Sequence, residues 1–142
     1  MNEYQQIFNT ISLGLVVLDR ELNVTSWNRW MELHSGIPAE KVLGRQICDL
    51  FPSLCDSSFN RIVKSVFAFG NYASYSQKLH KYLIPMKNPH GSSSHFPQMQ
   101  QNCTFGPLRN DNKEIIAIYI TIQDVTDFVI YEHKLIQMAK ID

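Results

Sequence analysis

The spacing of apolar positions changes rhythm several times along this chain, and each change marks a predicted boundary. Tyr4, Ile7, Phe8 and Ile11 follow the i, i+3, i+4, i+7 pattern of a short amphipathic helix. Residues 13–19 and 22–27 then read as two strands joined by the polar turn Asp19-Arg20-Glu21. From residue 28 to 54 the pattern breaks into short helical pieces, punctuated by Gly36-Ile37-Pro38, Gly44 and Pro52. A longer helix follows, with Phe59, Ile62, Val63, Val66 and Phe67 on one face, Asp56 or Ser57 as its cap and Gly70 as its stop. Residues 72–83 and 98–108 read as strands. The Pro-, Gly-, Ser- and His-rich segment 85–97 between them reads as a loop. Asn110-Asp111-Asn112 turns the chain into a final strand from Glu114.

The sharpest change of rhythm lies at Gln123-Asp124-Val125-Thr126-Asp127. Before it, Ile115 to Ile122 is almost continuously β-branched or aromatic, the composition of a buried strand. After it, Phe128, Tyr131, Leu135 and Met138 form an apolar helical stripe. Asp124, Thr126 and Asp127 are short polar side chains suited to a helix start, where acidic groups meet the positive end of the helix dipole. A sheet therefore passes into a helix with little slack. These three residues are the candidate output site.

The element order is two strands, a cluster of short helices, a longer helix and three antiparallel strands in a meander. It predicts an α+β fold with one helical layer on one face of a five-stranded antiparallel sheet. At 142 residues the chain suits one domain, with no internal repeat. We divide it into an N-terminal flanking helix (1–12), a central domain (13–124) and a C-terminal helix (125–142).

Thirteen basic and thirteen acidic residues cancel, so no net field favours nucleic acid or an anionic membrane. No apolar run approaches the ~20 residues that span a bilayer, and the first residues lack the order of a signal peptide. The three cysteines, Cys48, Cys55 and Cys103, are too few and irregular for a disulfide framework, and their odd count predicts reduced thiols. A cytoplasmic protein is expected. The final stripe has no Gly or Pro stop, so the sequence is expected to continue in a longer protein.

Several strings share a resemblance. Leu13-Gly14-Leu15-Val16-Val17-Leu18-Asp19 with Val24-Thr25-Ser26-Trp27-Asn28 is similar to the opening hairpin of the PAS (Per-Arnt-Sim) sensory domain, including the Asn that starts the next helix. Residues 35–44, with Gly36 and Gly44, and Ile47-Cys48-Asp49-Leu50-Phe51-Pro52 resemble the helical segments that follow it. Asp124-Val125-Thr126 resembles the family's junction to an output module. The resemblance spans residues 5–130. It implies a PAS-like fold with a pocket between the sheet and the helical layer, and flanking helices that dimerise. It also implies an effector, a histidine kinase, diguanylate cyclase or transcription regulator. Met99-Gln100-Gln101-Asn102-Cys103-Thr104, the 124–127 junction and Tyr131 look most like segments upstream of diguanylate cyclases.

On that resemblance, Trp30 and the helix residues Phe59, Val63 and Phe67 are pocket candidates, together with the strand residues Tyr75, Leu79, Cys103, Phe105, Tyr119 and Thr121. Such a mixed aromatic lining suits a modest, partly polar ligand. The same side chains can instead pack together and leave no cavity, because alternation in a strand does not say which face is buried. Tyr4, Ile7, Phe8 and Ile11, with Phe128, Tyr131, Leu135 and Met138, are the candidate homodimer surfaces.

No phosphate loop, nucleophile elbow or helical His–carboxylate pair is present, so the chain reads as a non-enzyme. Ser92-Ser93-Ser94 reads as a flexible connector. His80, His90, His95 and Cys103 lack the close spacings of a metal site, so no metal is expected. The long helix has no histidine for haem, which leaves only Cys48 or Cys55 as thiolate ligands. Asn102-Cys103-Thr104-Phe105 resembles a flavin-reactive cysteine string but falls in a strand. Trp27 and Trp30 read as core and cover rather than as a flavin pocket. The cofactor stays unassigned, with none favoured over flavin or haem. The function implied is a sensory relay that binds a small ligand or partner and moves its C-terminal helix against an effector. The alternatives are a ligand-free dimerisation module and a flavin- or haem-bearing sensor.

Overall fold

The computed structural model describes residues 2–88 and 96–140. In chain order the elements are α1 (Glu3–Thr10), β1 (Gly14–Asp19), β2 (Val24–Trp27), α2 (Arg29–Ser35), α3 (Ala39–Val42) and α4 (Ile47–Leu50). After a 3-10 turn (Pro52–Leu54) come α5 (Ser57–Phe69), β3 (Ala73–Tyr75), α6 (Gln77–His80), β4 (Gln101–Arg109), β5 (Ile115–Asp124) and α7 (Thr126–Ala139). The strands form one antiparallel sheet in the order β2-β1-β5-β4-β3, the five-stranded α+β arrangement predicted.

Register decides which side chains face inward. Phe105 pairs with Ile120, Cys103 with Ile122, and Val16 and Leu18 with Ile120 and Ile118. All of these are buried in one core with Met31, Ile47, Leu54, Phe59, Val63 and Val66 from the helical layer. Because side chains alternate, Tyr119 and Thr121 lie on the opposite face, where both are half-buried. This corrects their expected grouping with Cys103 and Phe105.

Local chemistry holds the layers in place. Asn28 is buried and caps α2, its Oδ1 accepting from the backbone N–H of Met31 and of Leu15. Its Nδ2 donates to the carbonyls of Phe8 and Leu13, both at 2.9 Å, so one amide ties the end of α1 to β1 and α2. Helix α5 begins at Asp56, whose carboxylate accepts from the N–H of Phe59, and ends at Gly70 in the left-handed conformation that glycine adopts freely. Gly14 lets α2 lie close on β1: a Cβ there would sit 2.7 Å from Met31 Sδ and 2.8 Å from the Trp30 ring.

Two expectations change. Residues 72–83 do not form one strand; β3 stops at Tyr75, and Ser76 caps the single turn of α6 by accepting from the N–H of Leu79. The expected reduced thiols also fail for one pair, because Cys48 and Cys55 are disulfide-bonded. The turn at Pro52–Leu54 folds the chain back until their Cα atoms are 5.7 Å apart, within the span a disulfide bridges. Cys103 is free and buried. Of the segment 85–97, residues 89–95, including Ser92-Ser93-Ser94, His90 and His95, lie outside the described residues.

Candidate functional site

The interior between α5 and the sheet holds most of the pocket candidates. Phe59 on α5 meets Phe105 on β4 edge-on at 6.1 Å between ring centroids, and Tyr75 on β3 lies 6.3 Å from Phe105. Cys103 is opposite Tyr75 across the β3–β4 pair, and Val63 closes the same core. Trp30 is buried over Gly14 and packs tilted against the His34 ring at 4.2 Å, so it joins the core from the α2 side. Phe105 thus packs against both Phe59 and Tyr75. Outside this cluster, Phe67 is half-buried under the Arg20 guanidinium, beside an open groove of about 510 Å³. Leu79 is 79% exposed, because the turn of α6 aims it at solvent, and Tyr119 and Thr121 are on the far side of the sheet.

His80 lies against this cluster. Its ring stacks on Tyr75 at 3.8 Å and 19°. It comes from α6, not from a strand beside Cys103 as the sequence suggested. Burial raises the Tyr75 hydroxyl above its ordinary range, and the charge of Asp56 adds to the shift. Burial pushes the Cys103 thiol up to about 12, so it stays protonated at neutral pH. Among the described residues no group of three His, Cys, Asp or Glu side chains gathers to hold a metal ion. Of the haem donors weighed from the sequence, α5 carries no histidine and the Cys48 and Cys55 sulfurs are bonded to each other, while burial holds Cys103 as a thiol.

The second candidate site is the passage from β5 to α7. Asp124 Oδ1 accepts from the Thr126 hydroxyl at 2.6 Å and from the Thr126 N–H at 2.9 Å. Thr126 Oγ1 in turn accepts from the Gln100 N–H at 2.9 Å, and the Gln100 carbonyl accepts from the Val125 N–H at 2.8 Å. The structure thus brings Asp124 and Thr126 together and fastens both to the segment leading into β4. Asp127 is exposed in the first turn of α7.

Sequence reasoning missed Gln77 and held Gln100 and Gln101 only as part of the string 99–104; all three are buried here with their amides hydrogen-bonded. The one signal for them was a polar pair, Gln100-Gln101, at the head of a strand that runs into the core.

On the flanking helices, Tyr4, Ile7, Phe128, Tyr131, Leu135 and Met138 are all exposed, Phe128 to 64% and Met138 to 67%. Phe8 and Ile11 are half-buried. Beside α7 an open groove of about 470 Å³ is lined by Gln77, Lys81, Val129, Glu132 and His133 among others. Among the described residues no helix is long and apolar enough to cross a membrane.

The family model for the PAS fold matches residues 2–125. Similar solved structures include a sensory box sensor histidine kinase from Vibrio cholerae, 20% identical, covering 87% of this chain and 90% of that one with a TM-score of 0.64. A PAS domain from Colwellia psychrerythraea is 16% identical over 88% and 96% of the two chains, with a TM-score of 0.62. A histidine kinase solved in complex with a response regulator protein is 22% identical, with a TM-score of 0.71; it is matched over 99% of this chain but 36% of its own length. At these identities the likeness is one of fold. The sequence matches no curated protein.

Proposed function

This chain belongs to the PAS family, whose domains are generally sensory modules rather than catalysts, and on that premise we propose that it receives a signal and relays it through α7. The observation that carries this reading is the junction at Asp124–Thr126. There the last strand and the output helix share hydrogen bonds to one another and to Gln100, so a shift in the sheet must be accommodated at the head of α7. The input is a small molecule or protein partner. A molecule entering the interior would have to part the rings of Phe59, Phe105 and Tyr75, which would move β3 and β4 relative to α5. Such a ligand acts by favouring one of two arrangements, and its effect is limited to its preference between them.

The exposed stripes of α1 and α7 form the surface for a second copy of the chain, and an effector linked after α7 receives the change. A histidine kinase or a diguanylate cyclase fits that place, and the sensor histidine kinases among similar folds favour the first.

Sedimentation of the protein together with native mass spectrometry tests this reading. A dimer, and a retained small molecule or a partner-dependent change in α7, are expected. A monomer at every concentration with no bound species would overturn it. The direct contacts among the interior rings favour a second reading, a dimerisation module with a filled core. A dimer that never takes up a ligand would favour that reading. Visible absorption of the purified protein separates a flavin- or haem-bearing sensor from both.

A further inference from the structure

Gln100 stands where three segments meet, and every polar group it carries is used. Its Oε1 accepts from Gln77 Nε2 on α6 at 2.8 Å, and its Nε2 donates to the Gln98 carbonyl at 3.1 Å. Its N–H and carbonyl hold Thr126 and Val125 at the head of α7. Both Gln77 and Gln100 are buried, and no buried side-chain polar atom among the described residues lacks a partner.

Gln101, the next residue, performs the matching task on the far end of the same segment. Its Oε1 accepts from the N–H groups of Leu83 and Ile84, its Nε2 donates to the Ile84 carbonyl, and its own N–H donates to the Lys81 carbonyl. Lys81 has a φ of 72°, a left-handed backbone that a lysine adopts only when its surroundings fix it. Segment 76–84 is therefore gripped at its start by Gln100 and at its end by Gln101. Apolar side chains of equal size would fill this space without needing partners. A fully satisfied buried amide network instead permits one arrangement and penalises slippage, because each displaced group is left unpaired.

We propose that Gln77 and Gln100 are positioning residues that gear segment 76–84 to the output helix, in the order Gln77, Gln100, Thr126, Asp124. On this view the segment between β3 and β4, which carries His80 against Tyr75, is the input lever. Displacement of α6 breaks the Gln77–Gln100 bond, releases the Gln100 backbone from Thr126 and loosens the first turn of α7. This inference rests on the relay reading above. It specifies the route and leaves open the signal.

The test is hydrogen exchange on the intact chain in a double-mutant cycle of Gln77→Met, Thr126→Val and both together. Among the described residues, hydrogen bonds connect Gln77 to Thr126 through Gln100. The reporter is the amide of Val129, which donates to the Val125 carbonyl in the first turn of α7. Each single change is expected to speed exchange at Val129 by about three- to tenfold, and the pair by clearly less than the product of the two, since contacts in one network are not additive. Amides of β1 and β2 should keep their rates. Gln77→Ala, a smaller truncation, gives the same reading if methionine is not accommodated. Independent, multiplicative effects at Val129 would overturn the proposal. So would uniform acceleration that includes β1 and β2, which would show Gln77 to be a general stabiliser. Failure of the relay reading itself would leave the exchange coupling intact and appear as a missing dimer, ligand and partner.

Discussion

One carboxylate oxygen, Asp124 Oδ1, accepts both the hydroxyl and the backbone N–H of Thr126, at 2.6 and 2.9 Å. The bond pair turns the chain from extended to helical within two residues, and it leaves Thr126 Oγ1 oriented to accept from Gln100. Replacing Asp124 with alanine removes the acceptor from both donors. A loss of about 1 kcal/mol is expected, typical of a deleted helix-start acceptor. It should be seen as a lower urea midpoint with unchanged slope, and as faster amide exchange in α7. Ligand uptake in the interior should persist; its loss would reduce the junction to a structural cap.

Cys103 links pH to stability. Its thiol is held at about 12 by burial, above its ordinary value of 9.0. The folded form keeps its proton while the unfolded form gives it up. The contribution is thus complete below about pH 9 and declines as pH rises from there toward 12. The raised hydroxyl of Tyr75 acts in the same direction at higher pH. Urea midpoints measured from pH 8 to 11 should fall in the native protein and fall less in Cys103→Ala.

The Cys48–Cys55 bridge closes a loop with a sequence separation of seven. Chain-entropy arguments give such a short loop about 2 kcal/mol of stabilisation. Reductant should lower the melting temperature of the native chain and leave that of the double serine variant unchanged. In urea without reductant, a thiol-specific label should modify one cysteine per chain, Cys103, and all three after reduction.

Gly14→Ala should be destabilising by about 1–3 kcal/mol, because the new methyl group collides with the Trp30 ring and Met31 Sδ in a packed core. Tryptophan fluorescence is the probe, since α2 must lift from β1 to relieve the contact. A Trp30→Leu change in the same chain should restore part of the loss by vacating the ring's space.

The fold was legible because its boundaries carry explicit chemistry: Asn28 and Asp56 start helices, Gly70 ends one, and Asp124 marks the last turn. The faces of β5 were not legible. Ile115 to Ile122 is apolar at nearly every position, so no alternation shows whether Ile118 and Ile120 or Tyr119 and Thr121 point inward; only pairing with Phe105 and Cys103 decides it. Leu79 was assigned to a strand because nothing local distinguishes Ser76 as a helix cap from Ser76 as a strand residue. The glutamines were overlooked for a different reason. A buried amide is identified by its partners, and the partners of Gln77, Gln100 and Gln101 are distant in sequence by up to 26 residues. Cys48 and Cys55 likewise become a pair only through the turn at Pro52–Leu54.

The strand order carries a consequence for how the molecule is made. β5 is the last strand in the chain and the middle strand of the sheet, pairing with β1 through Gly14 and Ile122. On a ribosome the β1–β2 hairpin and the helical layer emerge first, but their central neighbour is still untranslated. The two halves of the sheet can join only after residue 124 has left the exit tunnel, and such non-local pairing is slow compared with local helix formation. Completion of the sheet and emergence of α7 are therefore nearly simultaneous. A nascent chain cannot present a finished sheet before α7 begins to be made.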